Sequence, residues 1–484
     1  MEPLPVERLN VVLKPSHARV LIRPFIPHNE QRIKNIISRV LALAEDDVRK
    51  QMREVRDNFG YRHPGIEHIL MRHFESVKRW MITDQKISGE RKMLIGAYMT
   101  QEYALESSAL FNPSIVAHPD QSGCEAGSIR FILSLRATGE GHISSIVFRQ
   151  GIIDAAGGVT IVAPTPYVTQ PEQIPNQSYD KAIFERKLAE LGCGNGISAQ
   201  IMSSLGPTFT LEELNKNLDA VRLQHRHEAS VEVVVGNIRL LALSNYEVKF
   251  HPGTRPSERA IFPSSPSQSN GIEDARFVLF RDGENATYYA TYTAFDGRLI
   301  IPQLLETHDF LDFRFITLNG PAAQNKGMAL FPRKINGCYA MLSRQDNENI
   351  YLMYSDNIHF WYTSEIIVRP TYPWEFVQMG NCGSPIEIDE GWLVLSHGVG
   401  PMRRYCMSAF LLDKNDPVKV IGRLSRPLLS PNDNEREGYV PNVVYTCGAM
   451  VHNGWLIIPY AMSDYATNFA RVRLTDVLEA MEKV

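Results

Sequence analysis

The sequence predicts a mainly β fold, a five-bladed β-propeller carrying an N-terminal helical module and a helical insertion. Two observations point there. From residue 109 onward, short β-rich runs alternate with Gly, Asn and Asp turns. Within that region "THDFLDF" (307–313) and "SDNIHF" (355–360) share a hydroxyl residue, an acid and an aromatic, about 48 residues apart, and each follows an apolar run. Periods of roughly 40–50 residues with several short strands each are what propeller blades produce, and about 350 residues of this texture make about five blades. A two-sheet sandwich is the alternative, but at this length it would have to occur twice.

The elements follow in order. In residues 1–108, "ARVLIRPF" (18–25) reads as a strand, and 29–58 reads as a helix because Ile33, Ile36, Ile37, Val40, Leu41 and Leu43 recur at helical spacing. "HPGIEHILMRHFESVKRWM" predicts a second helix and "SGERKMLIGAYMTQEYALESSALF" a third. This module is read as a packing or homo-oligomerisation element. Residues 109–484 read as the β-propeller domain, with strands in "SIRFILSLRA", "ISSIVFRQ", "VEVVVGNIRLLALS", "RFVLFRDGENATYYATYTAFDG", "KGMALFPRKINGCYAMLSR" and "GWLVLSHGV". "GEGHISS" (139–145) is a hairpin turn, and 179–225 is an inserted pair of helices.

Composition narrows the function classes. The chain of 484 residues is 44% hydrophobic and 21% charged, with a net charge of -4, which gives no whole-chain reason to bind nucleic acid. Six scattered cysteines without a CxxC pair argue against zinc and for reduced thiols in the cytoplasm. The N-terminus has no signal pattern, and no window approaches about 18 uninterrupted apolar residues, so no membrane span is expected. No P-loop, GxGxxG helix start, GxSxG or HExxH occurs, and no cluster asks for a metal or an organic cofactor.

Propeller sites form where blades converge on the axis, so polar residues at strand-to-turn positions are the candidates. Asn112 opens the first β segment and Arg136 ends its strand "FILSLR"; Asp274 opens the second. Lys326 and Arg344 flank a hairpin of the third, His397 ends a strand of the fourth with Tyr405 beyond it, and Asn442 and Asp464 fall in the fifth. Each also has a plain reading as a solvated strand end or a turn residue. Glu273 and Asp274 in "SNGIEDARF", taken alone, read as a polar turn entering a strand. Brought together, the Lys, Arg, His and Tyr would make an anion site: Arg grips oxygens with a planar fork, Lys acts as a point charge, and Tyr adds a neutral donor.

Five stretches, "NGIEDARF", "YYATYTAFDG", "NKGMALFPRKINGCYAML", "GWLVLSHGV" and "YVPNVVYTCGAM", occur in an order and spacing that resembles glycoside hydrolase family 130, the β-mannoside phosphorylases and related β-mannosidases. The likeness runs from about Asn112 to the C-terminus, broken by the helical insertion. It implies a five-bladed propeller with a central site and Asp274 as the general acid, which passes its proton through the sugar's 3-hydroxyl to the glycosidic oxygen. It places Lys326, Arg344, His397, Tyr405 and Asp464 at the phosphate, and Asn112, Arg136, Asp296 and Asn442 at the substrate. One catalytic carboxylate suffices, because inorganic phosphate is already a nucleophile and cationic ligands replace the second carboxylate of an inverting hydrolase. The implied reaction is inverting phosphorolysis of a β-mannoside, with β-1,2 the favoured linkage and phosphate as co-substrate. Hydrolysis, with Glu273 or Asp296 as base, and a non-catalytic sugar-binding role stay open. Two departures from the family stand out: Lys326 replaces the arginine of some members, and Ala275 replaces the proline usual after the acid.

Overall fold

The computed structural model describes residues 4–81, 83–174, 177–225, 228–297 and 300–484, and the fold is mainly β, as expected. The β part is a succession of antiparallel meanders. Ala109–Ala117, Ile129–Thr138 and Ser144–Ile153 form the first, and Gly271–Asp282, Asn285–Phe295, Ile300–Thr307 and Asp312–Thr317 the second; a single parallel pairing, Gly271 with Ser144, joins them. Lys326–Leu330, Tyr339–Arg344, Ile350–Ser355 and Thr363–Val368 make the third. Gln378–Asn381, Gly391–Val399, Tyr405–Leu412 and Val420–Arg423 build the fourth, and Val444–Tyr445, Trp455–Met462 and Ala466–Arg473 the last. The last meander hydrogen-bonds to the first through Leu110 N to Tyr465 O (2.9 Å) and Cys447 N to Pro113 O (2.8 Å). Both chain ends are tied into sheets: Glu7–Arg8 pairs with Ala466–Arg473, and Glu482–Lys483 with Val420–Arg423.

The two similar sequence motifs occupy the same place in two different meanders, between the third and fourth strands. In each, the hydroxyl closes the turn: Thr307 Oγ1 accepts from Phe310 N at 2.9 Å, and Ser355 Oγ accepts from Asn357 N at 3.1 Å. Side-chain hydroxyls substitute there for backbone partners that the turn leaves unmade.

Between the paired strands Ser16–Pro24 and Thr100–Glu106 lie four helices: α1 (Glu30–Leu41), α2 (Glu45–Phe59), α3 (Ile66–Val77) and α4 (Gly89–Tyr98). The single helix expected over 29–58 is broken, and Arg91 explains where. Its guanidinium donates to Val40 O (2.5 Å), Leu41 O (3.1 Å) and Leu43 O (2.8 Å), satisfying the carbonyls that a helix C-terminus leaves open. Glu45, Asp46 and Asp47 then start α2, their charge matching its N-terminal dipole. The stretch expected to continue as a third helix ends at Tyr98, and Thr100–Glu106 is a strand.

The helical insertion is longer than the expected 179–225. It holds α5 (Lys181–Glu190), α6 (Gly196–Ser203), α7 (Leu211–Gln224) and α8 (Ala229–Ser244). "VEVVVGNIRLLALS", whose alternating valines suggest a strand, is α8. Its buried residues Val231, Val234, Val235, Ile238, Leu241 and Ala242 follow helical spacing, while Val233 is 62% exposed. Packing against α6 and α7 overrides the β preference of valine.

Glu106 fastens the strand leaving α4 to the first meander. It is fully buried, accepts from Arg149 Nη2 at 2.9 Å on both oxygens, and forms an ion pair with Arg19 at 2.8 Å. Glu106→Ala would strand two buried guanidinium groups, so a loss of about 3–5 kcal/mol is expected. A urea unfolding midpoint equal to that of the wild type would refute it.

Candidate active site

Interruptions of strand register build the floor of a pocket. Pairing skips between Phe111 and Ser114, between Glu273 and Arg276, and between Lys326 and Ala329. Such bulges turn a side chain out of the sheet's alternation. At the first two, Asn112 and Asp274 adopt left-handed φ angles of 48° and 55°; Asn442 and Asp464 do the same at 62° and 51°. Asn and Asp enter this region at less cost than other side-chain-bearing residues. Left-handed Asn residues also stand away from the pocket, at Asn336 and Asn453, so the conformation marks tight turns and not the site alone.

Asp274 is the centre. Its Oδ1 accepts from Asn112 Nδ2 at 2.7 Å and from Arg136 Nη1 at 3.3 Å. Arg136 also donates to Glu273 Oε1 (2.6 Å) and Ser144 Oγ (2.9 Å). Behind Asp274 lies Arg276, which sequence reasoning missed because it reads as part of an apolar strand. Its guanidinium donates to Cys382 O (2.8 Å), Asp274 O (3.1 Å) and Tyr445 Oη (2.7 Å).

A pocket of about 150 Å³ opens above this cluster, lined by Asn112, Arg136, Asp274, Lys326, Arg344, Tyr405 and Asp464, together with Arg403 and Tyr445. Seven of the sequence candidates thus converge, from every one of the meanders. Three do not line it. His397 lies behind Arg344, with Arg344 Nη1 donating to His397 Nε2 at 2.9 Å. Asn442 Oδ1 accepts from Arg436 Nε at 3.1 Å, and its carbonyl accepts from Tyr405 N at 3.0 Å. Asp296 follows the strand Asn285–Phe295, and its carbonyl accepts from Ser269 Oγ at 3.4 Å. A roomier hollow of about 620 Å³ lies on α2 and α4, where no comparable set of buried charges converges.

The charges in the pocket set one another. Burial raises the proton affinity of Asp274, but Arg136, Arg276, Lys326 and the Asn112 hydrogen bond outweigh it and hold the carboxyl at about 2. Asp464 goes the other way: burial and the Asp274 charge, against Arg136, Arg403 and Lys326, lift it to about 6. His397 is pushed well below its ordinary value by burial and by Arg344, Arg276 and Lys326. It is therefore neutral. Its Nε2 accepts from Arg344, so the proton sits on Nδ1, 3.9 Å from Cys382 Sγ. Among the described residues that line the pocket, two buried atoms have no hydrogen-bond partner: Arg344 Nε, a donor, and Asn112 Oδ1, an acceptor. Buried polar atoms of this kind are rare and are normally met by a ligand or water.

The sequence model of glycoside hydrolase family 130, described as beta-1,4-mannooligosaccharide phosphorylase, matches residues 217–483. The chain belongs to glycoside hydrolase family 130. Among its family 130 relatives, a 1,2-beta-oligomannan phosphorylase of Thermoanaerobacter sp. (strain X514) is 35% identical over 214 residues, 43% of this chain and 70% of that protein. A beta-1,2-mannobiose phosphorylase of Listeria innocua is 31% identical over 245 residues, 48% of this chain and 66% of that protein. The solved structure of a Listeria innocua beta-1,2-mannobiose phosphorylase with beta-1,2-mannobiose aligns with a TM-score of 0.46 and 21% identity, over 78% of this chain and 92% of that one.

The raised Asp464 has a stability consequence. A carboxyl whose pKa rises on folding, from 3.8 to about 6, contributes stability that is complete below 3.8 and is lost as pH climbs through 6. Asp464→Asn keeps the shape and removes the titration. Its melting temperature is expected to match the wild type near pH 4 and to exceed it near pH 7.5 (both pH values approximate). Thermal melts at the two pH values check this, and a variant that melts below wild type at the higher one contradicts it.

Proposed function

We propose that this family 130 enzyme is an inverting β-mannoside phosphorylase that yields α-mannose 1-phosphate and a shortened acceptor. The observation that carries this reading is the charge make-up of the pocket. Arg136 is committed to Glu273 and Asp274, which leaves Lys326, Arg344 and Arg403 facing the same space as Tyr405, with a buried Arg344 donor unmatched. Such a surplus suits a dianion. The names of the relatives agree on phosphorolysis and differ in linkage, between β-1,2 and β-1,4. We favour β-1,2.

In this reading a phosphate oxygen attacks the anomeric carbon from the side of Lys326, Arg344 and Tyr405. The bond from that carbon to the glycosidic oxygen breaks with inversion, and the departing oxygen takes a proton that originates on Asp274, relayed by the mannose 3-hydroxyl. His397 acts as a positioning residue: neutral and fixed, it aims Arg344. Asn112, with its open acceptor, holds a mannose hydroxyl. Its cationic neighbours hold Asp274 anionic, whereas an acid must carry a proton. Phosphate supplies the change, since an added negative charge beside a carboxylate raises its proton affinity and offsets Lys326 and Arg344. Glu273, ion-paired to Arg136, is poorly placed to activate water. We further propose that residues 109–484 form a five-bladed propeller catalytic domain, with residues 1–108 as an added helical module that serves homo-oligomerisation.

Incubation of β-1,2- and β-1,4-mannobiose with and without inorganic phosphate tests the reaction. Sugar phosphate should appear only with phosphate; free mannose released equally well without it would mean hydrolysis. For the acid, Asp274→Asn should lower kcat by about a hundredfold or more, the usual range for a general acid, while mannobiose still binds. Undiminished turnover in that variant would remove Asp274 from the role.

A further inference from the structure

We infer that Tyr439, braced by His142, is the platform for the sugar beyond the scissile bond and so governs acceptor choice; this rests on the phosphorylase reading above. The pocket volume of about 150 Å³ lies below the roughly 300–1,000 Å³ of sites that enclose whole ligands. In the reading above the mannose being cleaved and the phosphate take up this space, so the next sugar sits at the mouth. Val440 lines the pocket, and the residue before it, Tyr439, is 63% exposed.

The ring is exposed, yet its backbone is fastened on both sides. Gly438 packs so closely that a Cβ there would sit 2.4 Å from Ser463 O, and Val440 N donates to the same carbonyl at 3.0 Å. Ser463 precedes Asp464, so Tyr439 is tied to the wall that carries that carboxyl. On its other side the His142 ring lies 5.7 Å away, tilted by 31°. His142 sits in the turn Glu140–His142, between the strand that bears Arg136 and Ser144, which binds Arg136. A lone exposed aromatic is ordinary. One braced between two segments that adjoin a charged pocket is a preorganised apolar surface, and the C–H face of a pyranose packs on such a ring.

The test uses the full chain in the synthetic direction, with α-mannose 1-phosphate and either mannose, mannobiose or glucose as acceptor. Tyr439→Ala is expected to raise acceptor KM by about tenfold, the upper range for an aromatic contact, and to leave the KM for α-mannose 1-phosphate unchanged. Tyr439→Phe should behave as wild type. An unchanged acceptor KM in Tyr439→Ala, or an equal rise in both KM values, overturns the platform. If the wild type turns over no mannoside with phosphate, the phosphorylase reading fails instead. Calorimetric titration of mannobiose into wild type and Tyr439→Ala then decides: weaker binding by the variant supports the platform, and equal affinity overturns it.

Discussion

An ionised carboxylate withdrawn from water needs partners on every side, and Asp274 dictates much of what surrounds it. Arg136 and Asn112 both donate to its Oδ1, Arg276 holds its backbone carbonyl, and Lys326 adds charge. The two arginines have second anchors, Arg136 at Glu273 and Ser144. Arg276 reaches Cys382 O in the fourth meander and Tyr445 Oη in the last, so one guanidinium joins three parts of the chain. Losing a member would leave its partners buried and uncompensated, which costs more than the intact cluster contributes. The bulges at Asn112 and Asp274 are the backbone's share in this arrangement, since regular strands would send those side chains to a sheet face.

The same cluster separates two carboxyls of one pocket by environment alone. Asp274 lies among cations and stays charged, whereas Asp464, less well matched and repelled by Asp274, holds its proton towards neutral pH. Groups driven apart in this way are common at sites that move protons. His397 contributes by what it does not carry: a charged imidazole beside Arg344 would repel it, while a neutral one accepts its hydrogen bond and fixes its direction.

The helical parts stand on cores of their own. In α1–α4 the buried residues Ile37, Met52, Phe74 and Ile95 pack together, and in α5–α8 Phe184, Ile201, Leu218 and Ile238 do so. Their ties to the β part include apolar packing, with Leu21, Tyr103 and Leu105 in one core with Leu110 and Phe131, and polar contacts besides. Glu106 links the first set, and Lys187 links the second by donating to Thr317 O at 3.1 Å and Thr317 Oγ1 at 3.0 Å. Burial lowers the pKa of Lys187 to about 7 without removing these acceptors. Among the described residues no helix is long and apolar enough to cross a membrane.

Local chemistry was legible in the sequence where it acts over a few residues. Helical spacing in 30–98, hydroxyl-closed turns at Thr307 and Ser355, and Asx residues at strand mouths all follow from preferences of neighbouring atoms. The family motifs, read in order, singled out Asp274 and most of the residues that share its pocket. Tertiary structure decided the rest. It made α8 a helix because two other helices bury its valines, broke 29–58 because Arg91 arrives from elsewhere to hold the carbonyls, and placed Arg276 behind Asp274. It also set His397 behind Arg344 and left Asp296 and Asn442 outside the pocket lining. Those outcomes depend on charges and surfaces contributed by distant segments, and a linear pattern carries no record of which distant group will come within a few ångströms.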